Sequence, residues 1–218
     1  MIPKTVHFIW LGAWKKGFEY GIQSVLKNTT MKPILHTNED IHIEGVETRN
    51  LENIYEGIST TCVAHRCDII RLDILYKCGG IYSDLDVIWL RNPTEYFKKK
   101  VVIGYSNKGY KILCNAVMMS EKGHPALLTY KEWLLSIMPC KKYWIPANPY
   151  KLWKDNIDVT MVERKEFFPI GYQHVSKNIF TFNDVKNSIA VHLFCSMGDI
   201  QTVYDTVFKD VFEDVVKE

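Results

Sequence analysis

The apolar residues of this chain fall into short runs that alternate between two periods. Thr5 to Trp10 follows Pro3 as a compact apolar run and reads as a buried strand. A helix is predicted over 16–27, and a second short strand over Ile34 to Thr37. The clearest helical pattern runs from Thr61 to Lys77 and stops at Gly79-Gly80, a C-cap pair. Ile81 to Leu90 then reads as a strand ended by Asn92-Pro93. Val101 to Tyr105 and Ala116 to Met119 predict further strands, Pro125 to Met138 a helix, Ser188 to Phe194 a late strand and Gln201 to Lys217 a final helix. Residues 139–175 are rich in Trp, Tyr and Pro and show no usable period. Alternating strands and helices predict an α/β fold, one domain over 1–218, with a mainly parallel central sheet flanked by helices. Ligands in such sheets sit at the carboxyl ends of the strands.

Two places break this pattern with charge. On a wheel of the 61–78 helix, Val63, Ala64, Cys67, Ile70, Leu72, Ile74, Leu75 and Cys78 make one apolar arc, with Arg66, Asp73 and Lys77 opposite. Asp68 and Arg71 fall inside the apolar arc and share a face. They read either as a structural ion pair or as part of a site for polar ligand groups. Burying such a pair often adds no stability over apolar residues, which favours the site. Further on, Asp84 and Asp86 interrupt the apolar strand 81–90. Strand alternation makes the two carboxylates converge, with Leu85 facing away. Together they form a hard-oxygen site suited to Mn²⁺ or Mg²⁺.

Bulk properties narrow the field. A chain of 218 residues with 47% hydrophobic content can bury a substantial core. A net charge of +2 gives no field that would draw in nucleic acid or an anionic membrane. No apolar run approaches the roughly 18 residues needed to span a bilayer, and no secretory leader is visible. A soluble cytoplasmic protein is expected, with room for work beside a membrane. The six cysteines (62, 67, 78, 114, 140 and 195) lack a zinc spacing and read as reduced core thiols.

The run Cys67-Asp68-Ile69-Ile70-Arg71, followed by Leu75-Tyr76 and then Gly79-Gly80-Ile81-Tyr82-x-Asp84-x-Asp86, resembles the DXD-motif glycosyltransferases. That family includes the fungal initiating α-1,6-mannosyltransferase, bacterial capsule enzymes and, more distantly, the glucosyltransferase domains of large clostridial toxins. The opening Ile2-Pro3-Lys4-x-x-His7-x-Ile9-Trp10-x-Gly12 is similar as well, as are Asn115-Ala116-x-Met118 and Gly123-His124-Pro125. His192 with Ser196 resembles the family's closing motif, although Met197 stands where a Trp is usual.

The resemblance implies a GT-A fold, a nucleotide-sugar donor (UDP-linked first, GDP-linked second), a divalent cation and retention of anomeric configuration. It implies donor contacts from Trp10, Leu11, Gly12, Asp68, Arg71, Tyr82, Asp84, Leu85 and Asn115. Catalytic weight would fall on Asp84, Asp86, Arg71 and Asp68, and metal binding on Asp86, Asp84 and His192. The acceptor would be a glycan, a lipid-linked sugar or a protein, and the enzyme a monomer or homodimer. No residue stands out as a covalent nucleophile, so front-face attack and double displacement both stay open.

Several aromatic and histidine residues carry two readings. Trp10 is either a base platform or core, and His7 reads as a satisfied buried histidine. Trp133 fits a core stripe. Trp144, Tyr150 and Trp153 are either an acceptor surface or loop packing. The final helix, with Val203, Val207, Phe208, Val211, Phe212 and Val215 on one face, packs on the core or forms a dimer contact. Two rival functions remain. One is a haloacid-dehalogenase-like phosphohydrolase, using Asp84 and Asp86 with Gly198-Asp199 as its late acidic motif. The other is a non-catalytic sugar-nucleotide-binding module.

Overall fold

A computed structural model describes residues 1–51, 62–107, 109, 111–137, 148–177, 179–194 and 200–209. Nine strands lie among them: β1 (Thr5–Trp10), β2 (Lys32–Thr37), β3 (Glu47–Asn50), β4 (Gly80–Ser83), β5 (Val87–Trp89), β6 (Val101–Tyr105), β7 (Leu113–Ser120), β8 (Val159–Val162) and β9 (Ala190–His192). Three long helices accompany them: α1 (Glu19–Asn28), α2 (Val63–Cys78) and α3 (Pro125–Ile137). The remaining helical pieces are single turns such as Tyr150–Trp153 and Arg164–Phe167.

Seven strands form one sheet in the order β3-β2-β1-β4-β7-β6-β8. Only β7 runs against the rest: it pairs antiparallel with both β4 and β6, while the other pairings are parallel. β5 and β9 make a separate antiparallel pair. One face of the large sheet is covered by α2 and α3, with Ile70, Leu75, Met118, Leu127 and Trp153 in that core. The other face carries α1 and the β5–β9 pair, packed through Phe8, Ile22, Leu35, Ile81 and Trp89. A third apolar cluster, with Ile88, Val191, Val203 and Phe208, lies under the 200–208 segment. The α/β fold with a mainly parallel, helix-flanked sheet is as the alternation predicts.

The strand expected over 81–90 is two strands. After Ser83 the chain turns: the Asp84 amide donates to the Ala116 carbonyl at 2.8 Å, and the Val87 amide reaches back to the Asp84 carbonyl at 3.2 Å. β5 then leaves the large sheet to join β9. Both pieces are fully buried, so their apolar sequence reads as one continuous run. β3 escaped notice because Glu47–Asn50 is polar and largely exposed at the sheet edge. β8 lies in the segment without a period, although Val159 and Val162 are buried.

The helix wheel also needs revision. Ile69–Leu72, Ile74 and Leu75 are the buried residues of α2, while Val63, Ala64 and Cys78 are exposed. Asp73 is not simply solvated, because it takes the ammonium of Lys131 from α3 at 2.6 Å. Among the described cysteines, Cys62 and Cys78 are exposed rather than core, and Cys67 and Cys114 are half-buried. Cys140 and Cys195 lie outside the described residues. Trp153 is buried against Tyr130, and half-buried Trp133 stacks on the same ring, so both serve packing. Half-buried Tyr150 joins the same core, and Trp144 lies outside the described residues. The final segment is helical over Ile200–Val203 and widens to a π-turn over Tyr204–Phe208. Val211, Phe212 and Val215 fall beyond the described residues.

Candidate active site

The carboxyl ends of β1 and β4 open onto a cleft of about 560 Å³. Its position follows from how α2 ends. Gly79 and Gly80 take positive φ of 68° and 102°, and a Cβ on Gly80 would meet the Thr5 carbonyl at 2.8 Å. Glycine at these two positions lets the helix pass straight into β4 against β1. Arg71, on the inner side of α2, thereby faces Tyr82 and Asp84 at the end of β4.

Arg71 is nearly fully buried, and its charge is met on every side. One guanidinium nitrogen pairs with Asp68 Oδ1 at 3.0 Å, and the other lies 3.4 Å from Asp84 Oδ1. The latter also donates to the Asn115 carbonyl at 2.7 Å, while Nε donates to the Cys67 carbonyl at 3.3 Å. The guanidinium stands 4.2 Å from the centre of the Tyr82 ring, a cation–π contact. Asn115 closes the loop by donating its side-chain amide to Asp68 Oδ1 at 2.8 Å. The Tyr82 hydroxyl donates to Asp84 Oδ1 at 2.5 Å. Asp68 and Arg71 are therefore an ion pair that also reaches the cleft through Asp84. The ion pair is present, and of its two members Arg71 lines the cleft.

Asp86 sits on the opposite side of the turn and meets a residue from the end of β9. Val87 pairs with His192, and the Leu193 amide donates to the Asp86 carbonyl at 2.8 Å. The His192 Nε2 atom lies 3.3 Å from Asp86 Oδ1. Ligand atoms of Asp84, Asp86 and His192 all lie within 4.8 Å of one another. The carboxylates converge as expected, but through a turn and not through strand alternation. Leu85 between them is 5% exposed: its side chain belongs to the core and also touches the cleft.

Electrostatics mark the same three residues. Burial raises the Asp84 carboxyl above the usual carboxylate range, with Asp86 adding to the rise and Arg71 opposing it. Burial works against charge on His192, but the neighbouring Asp86 and Asp84 outweigh it and raise its pKa. Its Nδ1 is buried and has no hydrogen-bond partner among the described residues. Two carboxylates crowded together and an imidazole turned toward them suit a divalent cation, which would relieve the repulsion between Asp84 and Asp86. The residues present fit Mn²⁺ or Mg²⁺.

The other wall is aromatic. Half-buried Trp10 ends β1, donates its indole N–H to the Ala13 carbonyl at 3.1 Å and meets Phe18 with ring centres 4.6 Å apart. Leu11 lines the cleft. Gly12, with φ of 100°, turns its amide to the Asn38 side chain at 3.0 Å and does not line the cleft. Asp68 and Asn115 stand behind Arg71 and support it from outside the cleft.

Lys15, Phe18, Val63, Ala64, Cys67 and Phe194 also line the cleft, and sequence reasoning assigned none of them there. The exposure of two apolar residues at the start of α2 is explained by this cleft. Phe194 is the one described non-glycine residue with positive φ, at 49°, and its ring lies 4.1 Å from that of His192. A bulky residue in this region is strained, which points to a role in the site. His7 is satisfied, as expected: it meets His36 at 3.1 Å and the Gly79 carbonyl at 3.1 Å. Ser196, Met197 and the Gly198-Asp199 pair of the phosphohydrolase reading lie outside the described residues.

Residues 15–108 match the family model described as glycosyltransferase sugar-binding region containing DXD motif. That match bears out the resemblance read from the motifs. No curated protein matches the chain by sequence. Among solved structures, PaToxG glycosyltransferase aligns with a TM-score of 0.55 at 18% identity, covering 70% of each chain. The glycosyltransferase GlyE of Streptococcus pneumoniae TIGR4 aligns over 100% of this chain with a TM-score of 0.63 at 15% identity. The present chain spans 61% of that protein's length. A glycosyltransferase involved in glycosylation of the major capsid of PBCV-1 aligns at 9% identity with a TM-score of 0.50. At such identities the likeness speaks for the fold, which is that of GT-A glycosyltransferases. Neither rival function finds support in these matches.

Proposed function

We propose that this chain is a retaining glycosyltransferase that moves a hexose from a UDP- or GDP-linked donor to a glycan, lipid-linked or protein acceptor. The observation that carries this reading is the meeting of Asp84, Asp86 and His192 beside Arg71, in a cleft at the carboxyl edge of the sheet. Mn²⁺ or Mg²⁺ held by these three residues would neutralise charge developing on the departing diphosphate.

The chain's own residues prepare that site. Tyr82 and Arg71 fix the Asp84 carboxylate before any ligand arrives, so little ordering is left for binding. Asp68 and Asn115 hold Arg71 in turn. Across the cleft, Trp10 offers a ring on which a nucleotide base can stack. This assigns the donor to the space between Trp10 and Arg71, with its diphosphate toward Asp84 and Asp86. In this reading the protein works in the cytoplasm, as monomer or homodimer. Among the described residues, no helix is long and apolar enough to cross a membrane.

A thermal-shift screen of UDP- and GDP-sugars, each with and without Mn²⁺, tests the proposal. One donor with Mn²⁺ should stabilise the protein by about 2.7 kcal/mol at a hundredfold excess over its Kd. If no donor shifts the transition with Mn²⁺ present, and none is consumed, the reading fails.

A further inference from the structure

The turn that carries the carboxylates is backed by α1. Gly21, Ser24 and Asn28 are spaced three and four apart, on one stripe of that helix. A Cβ on Gly21 would lie 2.1 Å from the Leu85 carbonyl oxygen and 3.2 Å from that of Val87. Both neighbours are backbone atoms, so even a methyl group would force the turn or the helix to move. Ser24 Oγ accepts the Trp89 amide at 2.8 Å and donates to the Gly21 carbonyl at 2.6 Å. Asn28 donates to the Trp89 carbonyl at 2.7 Å. The main-chain donor and acceptor of Trp89 are thus both taken by α1. The Trp89 indole ties the same strand back to Ser83 at 3.1 Å.

None of these three α1 residues lines the cleft. They act on the strand that directly follows Asp86 and pairs with the strand ending in His192. Asp84, in contrast, is held from the α2 side by Arg71 and Tyr82. We infer that Gly21, Ser24 and Asn28 are positioning residues, and that α1 is the seat that sets Asp86 and His192 at their distance from Asp84. The inference rests on the metal-site reading given above.

Calorimetric titration of Mn²⁺ into donor-free protein tests it, with wild type, Gly21→Ala, Ser24→Ala and the exposed control Lys27→Ala. Groups that orient metal ligands are typically worth 10–100-fold in metal affinity. Gly21→Ala and Ser24→Ala should each weaken Mn²⁺ binding by about tenfold or more, while Lys27→Ala binds as wild type. In metal-free Ser24→Ala the Trp89 amide should also exchange faster with solvent. Folded Gly21→Ala and Ser24→Ala proteins that bind Mn²⁺ normally would overturn the positioning role alone. If Gly21→Ala does not fold, Ser24→Ala decides, since it removes an acceptor and adds no volume. Wild-type protein that binds no Mn²⁺ would instead overturn the metal reading, and the purpose assigned to α1 with it.

Discussion

Asp86 and His192, distant in the chain, stand side by side because Val87 and His192 are cross-strand partners in the β5–β9 pair. The contact is 3.3 Å between a carboxylate oxygen and an imidazole nitrogen, and Asp84, just past the end of β4, completes the group.

Metal dependence comes first. Removing divalent cations should abolish sugar transfer, and adding back Mn²⁺ should restore it. Asp86→Ala should lose at least about 10²-fold in rate, the scale for one preorganised electrostatic stabiliser. Turnover assays with and without chelator provide the check, and full activity in excess chelator would exclude the metal role.

Trp10 is half-buried against Phe18 and borders the cleft, so one ring serves packing and binding together. Trp10→Ala should weaken donor binding by roughly 1–3 kcal/mol, with Trp10→Phe keeping part of it. Donor titration of a folded variant reads this out. Unchanged affinity would leave the ring a packing role only.

The network around Arg71 separates scaffold from site. Removing Arg71 alone should cost about 3–5 kcal/mol of stability, because Asp68 and Asp84 lose their shared partner. The double variant Asp68→Leu, Arg71→Met should recover part of that stability, the share due to Asp68, while Asp84 keeps Tyr82 as a partner. It should nevertheless be inactive and show no thermal shift with donor and Mn²⁺. Near-normal transfer by this folded protein would show that the pair is scaffold alone.

The buried histidine pair predicts an acid-sensitive fold. The Gly79 carbonyl requires the proton of His7 on Nε2, so His7 Nδ1 accepts from His36. Burial depresses His7 from 6.5 to about 4 and His36 from 6.5 to about 3, so the folded state holds both neutral. The unfolded chain binds protons first as the pH falls. The pair's contribution to stability is therefore complete well above pH 6.5 and declines toward pH 4, with a limiting slope of about 1.4 kcal/mol per pH unit for each histidine, while His192, whose pKa is raised, acts in the opposite sense. Denaturant melts between pH 7 and 5, above the usual carboxylate range, should show the decline. Equal stability at both ends in a folded His192→Gln variant, which lacks the opposing histidine, would show that the pair titrates like exposed histidine.

The chemistry of the site was more legible in the sequence than its geometry. Asp68 and Arg71 stood out because charge inside an apolar helical arc requires a partner, and the structure supplies Asn115, Tyr82 and Asp84. Asp84 and Asp86 stood out as the acidic pair in an apolar run. The turn between them did not, because two aspartates one residue apart also fit one side of a strand, and the apolar runs on both sides are buried. Gly21 lies within a predicted helix, where its sequence says nothing of the carbonyl it must clear. Lys15, Phe18 and Phe194 reach the cleft from loops and a helix end, where no period predicts direction. β3 was hidden by its polar edge position and β8 by its neighbours.

The reversed direction of β7 has a consequence for how such a site can change. Tyr105 at the end of β6 pairs with Leu113 at the start of β7. Their connection therefore opens on the same rim as Trp10 and Asp84, and not on the far side of the sheet. Inserted residues there would lengthen a loop at that edge of the sheet without altering a strand or a helix. Each doubling of a flexible loop costs only about 0.6 kcal/mol in closure entropy. That edge of the sheet is thus a place where chain can be added while the charged network around Arg71 stays fixed.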